Sequence, residues 1–425
     1  MTELRTLVAD LGKDGGRLSP SVYDTAQVVR LHPPTEGAEP ALDWLIGQQA
    51  ADGGWGDPAA PYARAVPTLA TLLAFQQHPR QVPSQVVDAG CRFLQEQAPL
   101  WQELPIDALP IATEMILPYL LDEATRVGLS IEPSPYHQLY QLRRQKCQQI
   151  SKRKLVPSTP PMYSWEALGQ QVELGLLDES GGIGHSPAAT AAWLSQAKQD
   201  PALAAERHSA TTYLQGAAAA TGVNRPGVVP NVWPITGFEM SYGPYALLIA
   251  GLYRHPSLQE VLRDHTSALQ QIMVRGHGVS FGDYFMPDVD ETAVALAALH
   301  AAGCEVDGEV MEQFRNGSHF HTFPHELNPS VLSNAHALYA LAVMEERSPE
   351  VEAFLRERQC ADGHWLPDKW HSSWLYTTME ALLAFEQLGY STEVDRAVER
   401  LLATQQADGG WGSGTEASAT DTSYA

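Results

Sequence analysis

A turn motif built on Gln, Asp-Gly and Trp recurs along this chain. It reads QQAADGGWG at 48–56, QCADGHW at 359–365 and QQADGGWG at 405–412, with a degenerate copy, LLDESGGIG, at 176–184. In the full copies the Gln follows an apolar helical pattern, and Asp-Gly-Gly favours a tight turn. Copies of one turn between helices predict stacked structural repeats, in which each turn joins one unit to the next.

A second pattern follows the turns at a regular interval. TAVAL at 292–296, NAHAL at 334–338, TMEAL at 378–382 and a further start at Thr422 begin 42, 44 and 44 residues apart. A unit of that length holds two helices and a turn, and strand-like alternation is nearly absent. We therefore predict an all-α fold: two double-layered α/α-barrel (toroid) domains of helical hairpins, with small-residue-rich inner helices.

Two irregular stretches interrupt the repeats. Residues 133–161 are proline-rich at both ends and hold a basic cluster, and TGVNRPGVVPNVWP at 221–234 is rich in turn-forming residues. We place the domain boundary at the second stretch. One predicted domain covers 25–220, and the other combines 1–24 with 221–425.

Composition restricts the partners and the compartment. The net charge of -23 argues against nucleic acid and against anionic lipid. No apolar run reaches the length of a membrane span, and the charged N-terminus does not resemble a signal peptide. The four cysteines are far apart, which indicates reduced thiols. We therefore expect a cytoplasmic protein without an integral membrane segment.

The sequence PDVDET at 287–292 places three carboxylates, Asp288, Asp290 and Glu291, just before an apolar helix. A solvated helix N-terminus with Asp288 as N-cap, a metal site and an acid kept protonated all fit these residues. Two unrelated classes also stay open. A helical-repeat scaffold that binds protein would need charged inner helices, and an α/α-toroid glycosidase would need carboxylates about 5 to 9.5 Å apart.

The turns and PDVDET together resemble the class II terpene cyclases, which include squalene-hopene cyclases and copalyl-diphosphate-type synthases. The resemblance runs along nearly the whole chain. It also implies a γ-type domain at 25–220 and a β-type catalytic domain in 1–24 plus 221–425. Four further segments are similar to the diterpene branch of that family: SPSVYDTAQVVRL at 19–31, SPAATAAWL at 186–194, PNVWPITGFE at 230–239 and DKWHSSWLYTT at 368–378.

The resemblance assigns roles to the acidic motif. The family carries DxDD, in which the middle aspartate is the general acid, so Asp290 takes that role beside Asp288, while Glu291 replaces the last aspartate. The family's partner asparagine falls on Asn334. Protonating an alkene needs a strong acid near a dry cavity. We expect burial and the like charges of Asp288 and Glu291 to raise the pKa of Asp290 and hold its proton.

A second group of residues is predicted to steer the carbocation. The family's unrearranged copalyl-type enzymes pair a His with the Asn of PNVFP to hold a water. Here Asn231 is kept, but Tyr163 takes the His place, which in the family accompanies rearranged products of the kolavenyl and halimadienyl type. Aromatic faces stabilise positive charge. The candidate cavity aromatics are Trp233, Trp370 and Trp374, with Phe238, Tyr242, Tyr284 and Phe285.

The substrate's diphosphate must be bound without being ionised. This sequence contains no Asp-Asp pair, so we reject the ionisation-initiated chemistry of class I terpene synthases. The basic candidates for binding the diphosphate are Lys369, Arg64, Arg275 and Lys154. Glu166 matches a loose acidic motif that the family links to Mg²⁺, so Mg²⁺ is the expected cofactor.

These observations predict an isomerase, an intramolecular lyase of the class II diterpene type. It would cyclise geranylgeranyl diphosphate to a rearranged bicyclic diphosphate. The alternatives are a copalyl-type synthase and, from farnesyl diphosphate, a drimenyl-type synthase. A retained diphosphate implies a downstream class I terpene synthase or phosphatase as pathway partner. The sequence stops at TDTSYA within a repeat helix, and a homodimer would cover the apolar surface left there.

Overall fold

A computed structural model describes residues 1–104, 106–169, 172–173, 175–324, 326 and 328–425, without the side chains of 108 and 274–276. Its regular structure is helical, which confirms the all-α prediction. The α-helices are α1 Thr2–Asp10, α2 Val22–Leu31, α3 Glu39–Gly47, α4 Ala65–Gln76, α5 Ser84–Gln97, α6 Thr113–Arg126, α7 His137–Ile150, α8 Pro187–Ala197, α9 Ala204–Ala220, α10 Thr236–Ile249, α11 Gln259–Gly276, α12 Val289–Ala301, α13 Val331–Val343, α14 Pro349–Glu357, α15 Trp374–Gln387, α16 Ser391–Thr404 and α17 Ala419–Tyr424.

Short elements connect these helices. Two two-residue strands, β1 Arg315–Asn316 and β2 His319–Phe320, pair antiparallel. The 3₁₀ helices are Lys13–Gly15, Pro61–Ala63, Ala98–Gln102, Ile106–Ala108, Ser134–Tyr136, Pro160–Ala167, Pro201–Leu203 and Gly308–Phe314. Among the described residues, no helix combines the length and the apolar character that crossing a membrane requires.

The three full copies of the turn share one set of hydrogen bonds. In each copy the indole N–H of the Trp donates to the carbonyl ten residues earlier, at 2.6 to 2.8 Å. The pairs are Trp55 with Leu45, Trp365 with Leu355 and Trp411 with Leu401. The buried indole therefore fastens the turn to the end of the preceding outer helix while its donor stays satisfied.

A side-chain clip ties each turn to the next inner helix. The Trp amide donates to a threonine hydroxyl at 2.9 to 3.0 Å in every copy. The same clip occurs without Trp elsewhere, at 2.8 to 2.9 Å. The clips are Trp55–Thr68, Trp365–Thr378 and Trp411–Thr422, then Ile183–Thr190, Val279–Thr292 and Phe320–Asn334. These bonds fix the register of consecutive inner helices.

The Gln of the turn reaches the next outer helix, and the glycine makes room for it. Gln359 donates to the carbonyls of Gly363 and Glu393, at 2.8 and 2.9 Å. Gly363 has φ +101°, and a Cβ there would collide with the backbone of Arg396. Only glycine meets both requirements, which explains its recurrence in the motif.

The chain divides into two compact units. One comprises Met1–Lys13, Ile106–Pro110 and Ile235–Ala425, and the other Asp14–Pro105 and Ile111–Pro234. The predicted boundaries lie instead after residues 24 and 220. A cut at 24 would divide α2, Val22–Leu31, in which residues 24–30 are buried. The assignment of the units as β-type and γ-type domains stays a prediction.

The unit that contains PDVDET has two layers. In the inner layer α12 packs between α10 and α13, and α13 packs against α15; α11, α14 and α16 pack outside them. Small residues let the inner helices approach closely: six of the buried positions of α12 are Ala or Val. The core is completed by large side chains such as Trp365 and Phe385, each stabilising the fold by roughly 1.5 to 3 kcal/mol on burial.

The other unit repeats this arrangement. Its inner helices α2, α4 and α6 pack in sequence, α8 packs on the far side of α2, and α5, α7 and α9 lie outside them. The 3₁₀ helix Pro160–Ala167 packs against both α6 and α8. Trp165 and Trp193 are buried in its core.

Candidate active site

The motif PDVDET forms the first turn of α12. Asp288 is the N-cap, and its Oδ1 accepts the amide of Glu291 at 2.9 Å. Asp288, Asp290 and Glu291 are only 0%, 8% and 7% exposed. The capping role is therefore present, but the three carboxyl groups are not a solvated surface. Placing them in the interior is costly unless they are paired or protonated.

Both carboxylate oxygens of Asp290 have partners. Oδ1 lies 2.9 Å from Nδ1 of His336 on α13, and the hydroxyl of Tyr242 on α10 donates to Oδ2 at 2.7 Å. His336 is almost fully buried. Three inner helices thus converge on the side chain that the sequence assigns as the general acid.

The far side of His336 faces a second carboxyl group. Its Nε2 lies 3.4 Å from Oε2 of Glu380 on α15, and the hydroxyl of Tyr245 donates to the same Oε2 at 2.6 Å. Tyr245 and Glu380 are also buried. The result is a buried polar chain, Asp290–His336–Glu380, that joins α12, α13 and α15.

In this buried polar chain, the charges shift the pKa values of Asp290 and His336 in the direction opposite to burial. Burial would raise the pKa of Asp290, but the imidazolium of His336 and the hydrogen bonds from His336 and Tyr242 bring it below its ordinary value. Burial acts to lower the pKa of His336, yet Asp290 and Glu380 raise it to about 10. The predicted rise in the pKa of Asp290 is therefore wrong, because the sequence pattern does not reveal the imidazole beside it.

The pKa values of the neighbouring acids, Asp288 and Glu291, rise in the way that the sequence predicts for Asp290. Burial, reinforced by the charge of Asp290 and opposed by hydrogen bonds to Glu291, raises the pKa of Asp288 to about 7. Burial and the charge of Asp288 raise the pKa of Glu291 well above its ordinary value. Both groups therefore keep their protons to higher pH than Asp290 does, so weaker acids lie next to a stronger one.

Asn334 is not the partner of Asp290. Its Oδ1 accepts the amide of Phe320 at 2.8 Å, and its Nδ2 donates to the carbonyls of Phe320 and Ser330 at 2.9 and 2.7 Å. It occupies the clip position that Thr292 holds in the preceding repeat. The predicted orienting role is corrected: this amide is used to fix the register of α13.

The missed residues carry a signal in the repeats. His336 and Glu380 are the third residues of NAHAL and TMEAL, where TAVAL has Val294. Two charged groups at one register position of consecutive buried helices indicate a contact between them. That signal identifies His336 and Glu380 without any family motif.

Aromatic side chains lie near Asp290 in the same unit. Phe238 stacks on Tyr242 with ring centroids 4.5 Å apart. Trp370 contacts Phe323 edge-on at 6.2 Å, and its indole donates to Thr322 at 3.2 Å. Tyr242, which is predicted as a cavity aromatic, thus also donates a hydrogen bond to Asp290.

Other predicted aromatics lie elsewhere. Trp374 packs on the second turn, 5.2 Å from the ring of His364, with Arg400 over its face. Phe285 packs on Phe323, whereas Tyr284 is exposed on its loop. Trp374 is therefore part of the turn rather than of the group around Asp290.

Two of the four basic candidates, Arg64 and Lys369, are paired with acidic residues. Arg64 is 4% exposed and binds both oxygens of Asp52, at 2.6 and 2.7 Å, within the first turn. This pairing corrects its assignment as a diphosphate ligand. Lys369 pairs with Glu326 and donates to the carbonyl of Asn328.

Two basic candidates stay predictions. Lys154 is exposed just beyond α7. The side chain of Arg275 lies outside the described residues.

The other unit contains a second buried acid, Glu166. The hydroxyl of Tyr23 donates to its Oε1 at 2.5 Å, while its Oε2 has no hydrogen-bond partner. Burial raises the pKa of Glu166 to about 7, against the hydrogen bond from Tyr23. In the same unit Tyr163 shares a hydrogen bond with Asn231, and burial raises the pKa of Tyr163.

Trp233 belongs to this unit as well. Its ring lies 5.6 Å from that of Tyr213, whose hydroxyl donates to the carbonyl of Trp233 at 2.8 Å.

The unpartnered Oε2 of Glu166 is suited to serve as one ligand of a metal ion. Mg²⁺ prefers six oxygen ligands and is often held by one or two carboxylates together with water and substrate phosphates. Among the described residues, the one group of three with metal-ligand spacing is Cys360, Asp362 and His364, in the second turn. A Mg²⁺ ion bound by Glu166 would take further oxygen ligands from water and substrate phosphates.

Comparison with known proteins identifies the family of the chain. Residues 329–425 match the squalene-hopene cyclase C-terminal domain family. The whole chain is 41% identical to a (+)-kolavenyl diphosphate synthase from Herpetosiphon aurantiacus, over 84% of that protein. It is 32% identical to an ent-copalyl diphosphate synthase from a Streptomyces species, covering 96% of this chain and 81% of the relative.

A solved structure agrees with these sequence relationships. The ent-copalyl diphosphate synthase from Streptomyces platensis superposes with a TM-score of 0.78 at 27% identity, covering 100% of this chain and 86% of that one. The fold, the buried acid on α12 and these relatives lead to one conclusion. The chain belongs to the class II diterpene cyclases, isomerases with the α/α-barrel fold.

Proposed function

We propose that this enzyme cyclises geranylgeranyl diphosphate to a rearranged bicyclic diphosphate of the kolavenyl type. The observation that carries the proposal is Asp290, buried and bonded through both oxygens to His336 and Tyr242. The relative from Herpetosiphon aurantiacus, named a (+)-kolavenyl diphosphate synthase, supports the product class. Tyr163 in place of the family's His supports rearrangement over the unrearranged copalyl skeleton.

The reaction starts with proton transfer from Asp290 to the terminal alkene. The π electrons form the new C–H bond, and the tertiary cation that results is attacked by the next two alkenes in turn to close two rings. Hydride and methyl shifts move the cation, and loss of one proton forms the final alkene. One proton enters and one leaves, so the product is an isomer that retains its diphosphate.

A lowered pKa suits this first step. Alkenes are very weak bases, and each unit by which the acid's pKa falls makes the transfer more favourable by about 1.4 kcal/mol. His336 lowers the pKa of Asp290, while Asp288 and Glu291 hold protons beside it. The stacked rings of Phe238 and Tyr242 supply π faces for the cation.

Mg²⁺ is proposed as the counterion of the diphosphate, with Glu166 as its protein ligand. When bound, it would neutralise charge on the phosphate oxygens. The unpartnered Oε2 of Glu166 supports this assignment. Lys154 and Arg275 stay predicted diphosphate ligands.

Product analysis tests the proposal. The enzyme is incubated separately with geranylgeranyl and farnesyl diphosphate, the products are dephosphorylated, and the alcohols are identified by mass spectrometry and NMR. We expect a rearranged C20 bicyclic alcohol, and none from Asp290→Asn. Copalol would establish the copalyl-type alternative, a bicyclic C15 alcohol alone the drimenyl-type one, and no cyclic product would refute the cyclase reaction.

The partners follow from the product. An intact diphosphate implies that a class I terpene synthase or a phosphatase acts next. A homodimer stays a prediction, which light scattering at several protein concentrations would test.

A further inference from the structure

Glu380 is a buried carboxyl group that touches neither the proposed proton donor nor a surface. It lies inside α15 and is 1% exposed. Its Oε2 faces Nε2 of His336 at 3.4 Å and accepts the hydroxyl of Tyr245 at 2.6 Å. An isolated ionised carboxylate would be unstable there, so its place in the core calls for a charged partner.

The groups that face this pair come from several elements. α10 supplies Tyr242 and Tyr245, and α12 supplies Asp290. α13 carries Tyr339, α15 carries Tyr376, and the segment before α15 and the helix α17 bring His371 and Tyr424. His336 is the one basic group among them in direct contact with Asp290 and Glu380. Asp288 and Glu291 adjoin Asp290 on α12, and His371 interacts with Glu380 electrostatically, but the ion-pair contacts of His336 are with Asp290 and Glu380.

The state before proton transfer requires particular charges on Asp290, His336 and Glu380. When Asp290 carries the proton that it will donate, it is neutral and no longer stabilises a positive charge on His336. With Glu380 ionised, the cluster of neutral Asp290, imidazolium and carboxylate has no net charge. Without that carboxylate the same protonation state would be a buried net cation, and His336 would lose its proton.

We propose that Glu380 is a positioning residue that keeps His336 protonated while Asp290 is loaded for transfer. This rests on the proposed role of Asp290 as the acid. Tyr245 supports the arrangement, because its hydroxyl binds the same Oε2 that faces the imidazole and holds it there. The imidazolium then stabilises the aspartate that forms as the proton leaves.

The loaded state can be imitated without substrate. Asn at position 290 has the shape of aspartate but no charge, so Asp290→Asn reproduces the neutral acid. Imidazole nitrogens of ¹⁵N-histidine-labelled protein report protonation by NMR, and the His336 signal is assigned from its loss in His336→Asn. We expect His336 to be protonated at pH 7 in Asp290→Asn and neutral in Asp290→Asn/Glu380→Gln. A neutral His336 in the first variant, or a protonated one in the second, would overturn the proposal.

The activity of single variants provides a second test. Glu380→Gln should lower kcat about 10²-fold with little change in KM, and the activity should be lost at a pH about one to three units lower as pH rises. Glu380→Asp keeps the charge and should recover part of kcat and the wild-type pH range. Equal losses in both variants with an unshifted pH profile would show a packing role instead.

These experiments separate two kinds of failure. Absence of a cyclic product from any prenyl diphosphate would refute the proposed function. The NMR titration needs no substrate, so it decides the effect of Glu380 on His336 independently.

Discussion

Each unit buries a carboxyl group that the proposed function uses, Asp290 in one and Glu166 in the other, and the two groups differ in acidity. Asp290 and Glu166 are similarly shielded, at 8% and 6% exposed. The pKa of Asp290 falls below its ordinary value, whereas that of Glu166 rises to about 7. Burial acts in the same direction on both. The difference therefore comes from what each carboxylate touches.

Asp290 touches an imidazolium, while Glu166 touches a phenol. Arg30 of the second unit binds Glu123 at 2.8 Å and the hydroxyl of Tyr119 at 3.0 Å. Its charge lowers the pKa of Glu166 only weakly against burial, and its hydrogen bonds lead to Glu166 through Gln27 and the hydroxyl of Tyr23. A direct cation thus makes a strong acid of one buried carboxyl group, and its absence leaves the other a weak one.

The largest expected effect comes from removing the acid itself. Asp290→Asn should lower turnover by about 10⁴-fold or more while circular dichroism and thermal unfolding stay near wild type. Glu166→Gln is the matched control, since it removes the other buried carboxylate and should retain measurable turnover. Equal losses in both variants would remove the distinction between the two acids.

Replacing His336 should make Asp290 resemble Glu166. In His336→Asn the pKa of Asp290 should rise, because burial is no longer opposed by a cation. A weaker acid should lower kcat about 10²- to 10³-fold, measured under saturating substrate. Tyr242→Phe, which removes only a neutral donor, should lose less. Wild-type kcat in His336→Asn would show that the imidazolium does not set the acid strength.

Glu166 should make folding stability depend on pH. Its pKa rises from 4.5 to about 7, so the unfolded state releases its proton first and the native state is destabilised as pH rises between those values. Relative to Glu166→Gln, the wild type should lose about 3 kcal/mol of unfolding free energy between pH 4 and pH 8. Urea denaturation at both pH values measures this difference. A pH-independent difference would place the carboxyl group in contact with water or a cation.

Variants of Asn334 test whether this residue, in addition to His336, affects the activity of Asp290 as the acid. Asn334→Ala leaves the amide of Phe320 without its acceptor and should lower the unfolding free energy by about 1 to 3 kcal/mol. Asn334→Thr installs the residue that the other clips use, so thermal unfolding and kcat should both stay closer to wild type. A specific loss of kcat in Asn334→Thr, with stability intact, would restore Asn334 as a partner of the acid.

The smallest change in rate is expected at Tyr163. Tyr163→His should shift the product toward a less rearranged or a hydroxylated skeleton with kcat within about tenfold of wild type, because the initial protonation depends on Asp290. Product ratios by mass spectrometry measure the shift. An unchanged product profile would show that Tyr163 does not steer the cation.

The repeated turn predicted the fold because its chemistry is local. Asp-Gly-Gly, the Trp and the clip threonine lie close together in sequence, so their spacing alone indicates helical hairpins. The position of Asp290 in the first turn of a buried helix was likewise visible in PDVDET. These features depend on contacts within one repeat.

Charge pairing was less visible because it joins residues that are distant in sequence. Arg64 is neutralised by Asp52 and Lys369 by Glu326, so neither is the free cation that the basic residues of the sequence suggested. The family resemblance assigns Asn334 as the partner of the acid, although its register matches that of the clip threonines. His336 could have been found from that register.

The clips also bear on how such a site can arise by gene duplication. Asn334 and Thr378 hold α13 and α15 at the same height. His336 lies two residues after Asn334, and Glu380 lies two residues after Thr378, so these two side chains meet. A duplicated hairpin therefore carries the same facing position, which His336 and Glu380 occupy in this chain. The repeat itself thus provides the geometry for a buried polar pair, without a special loop.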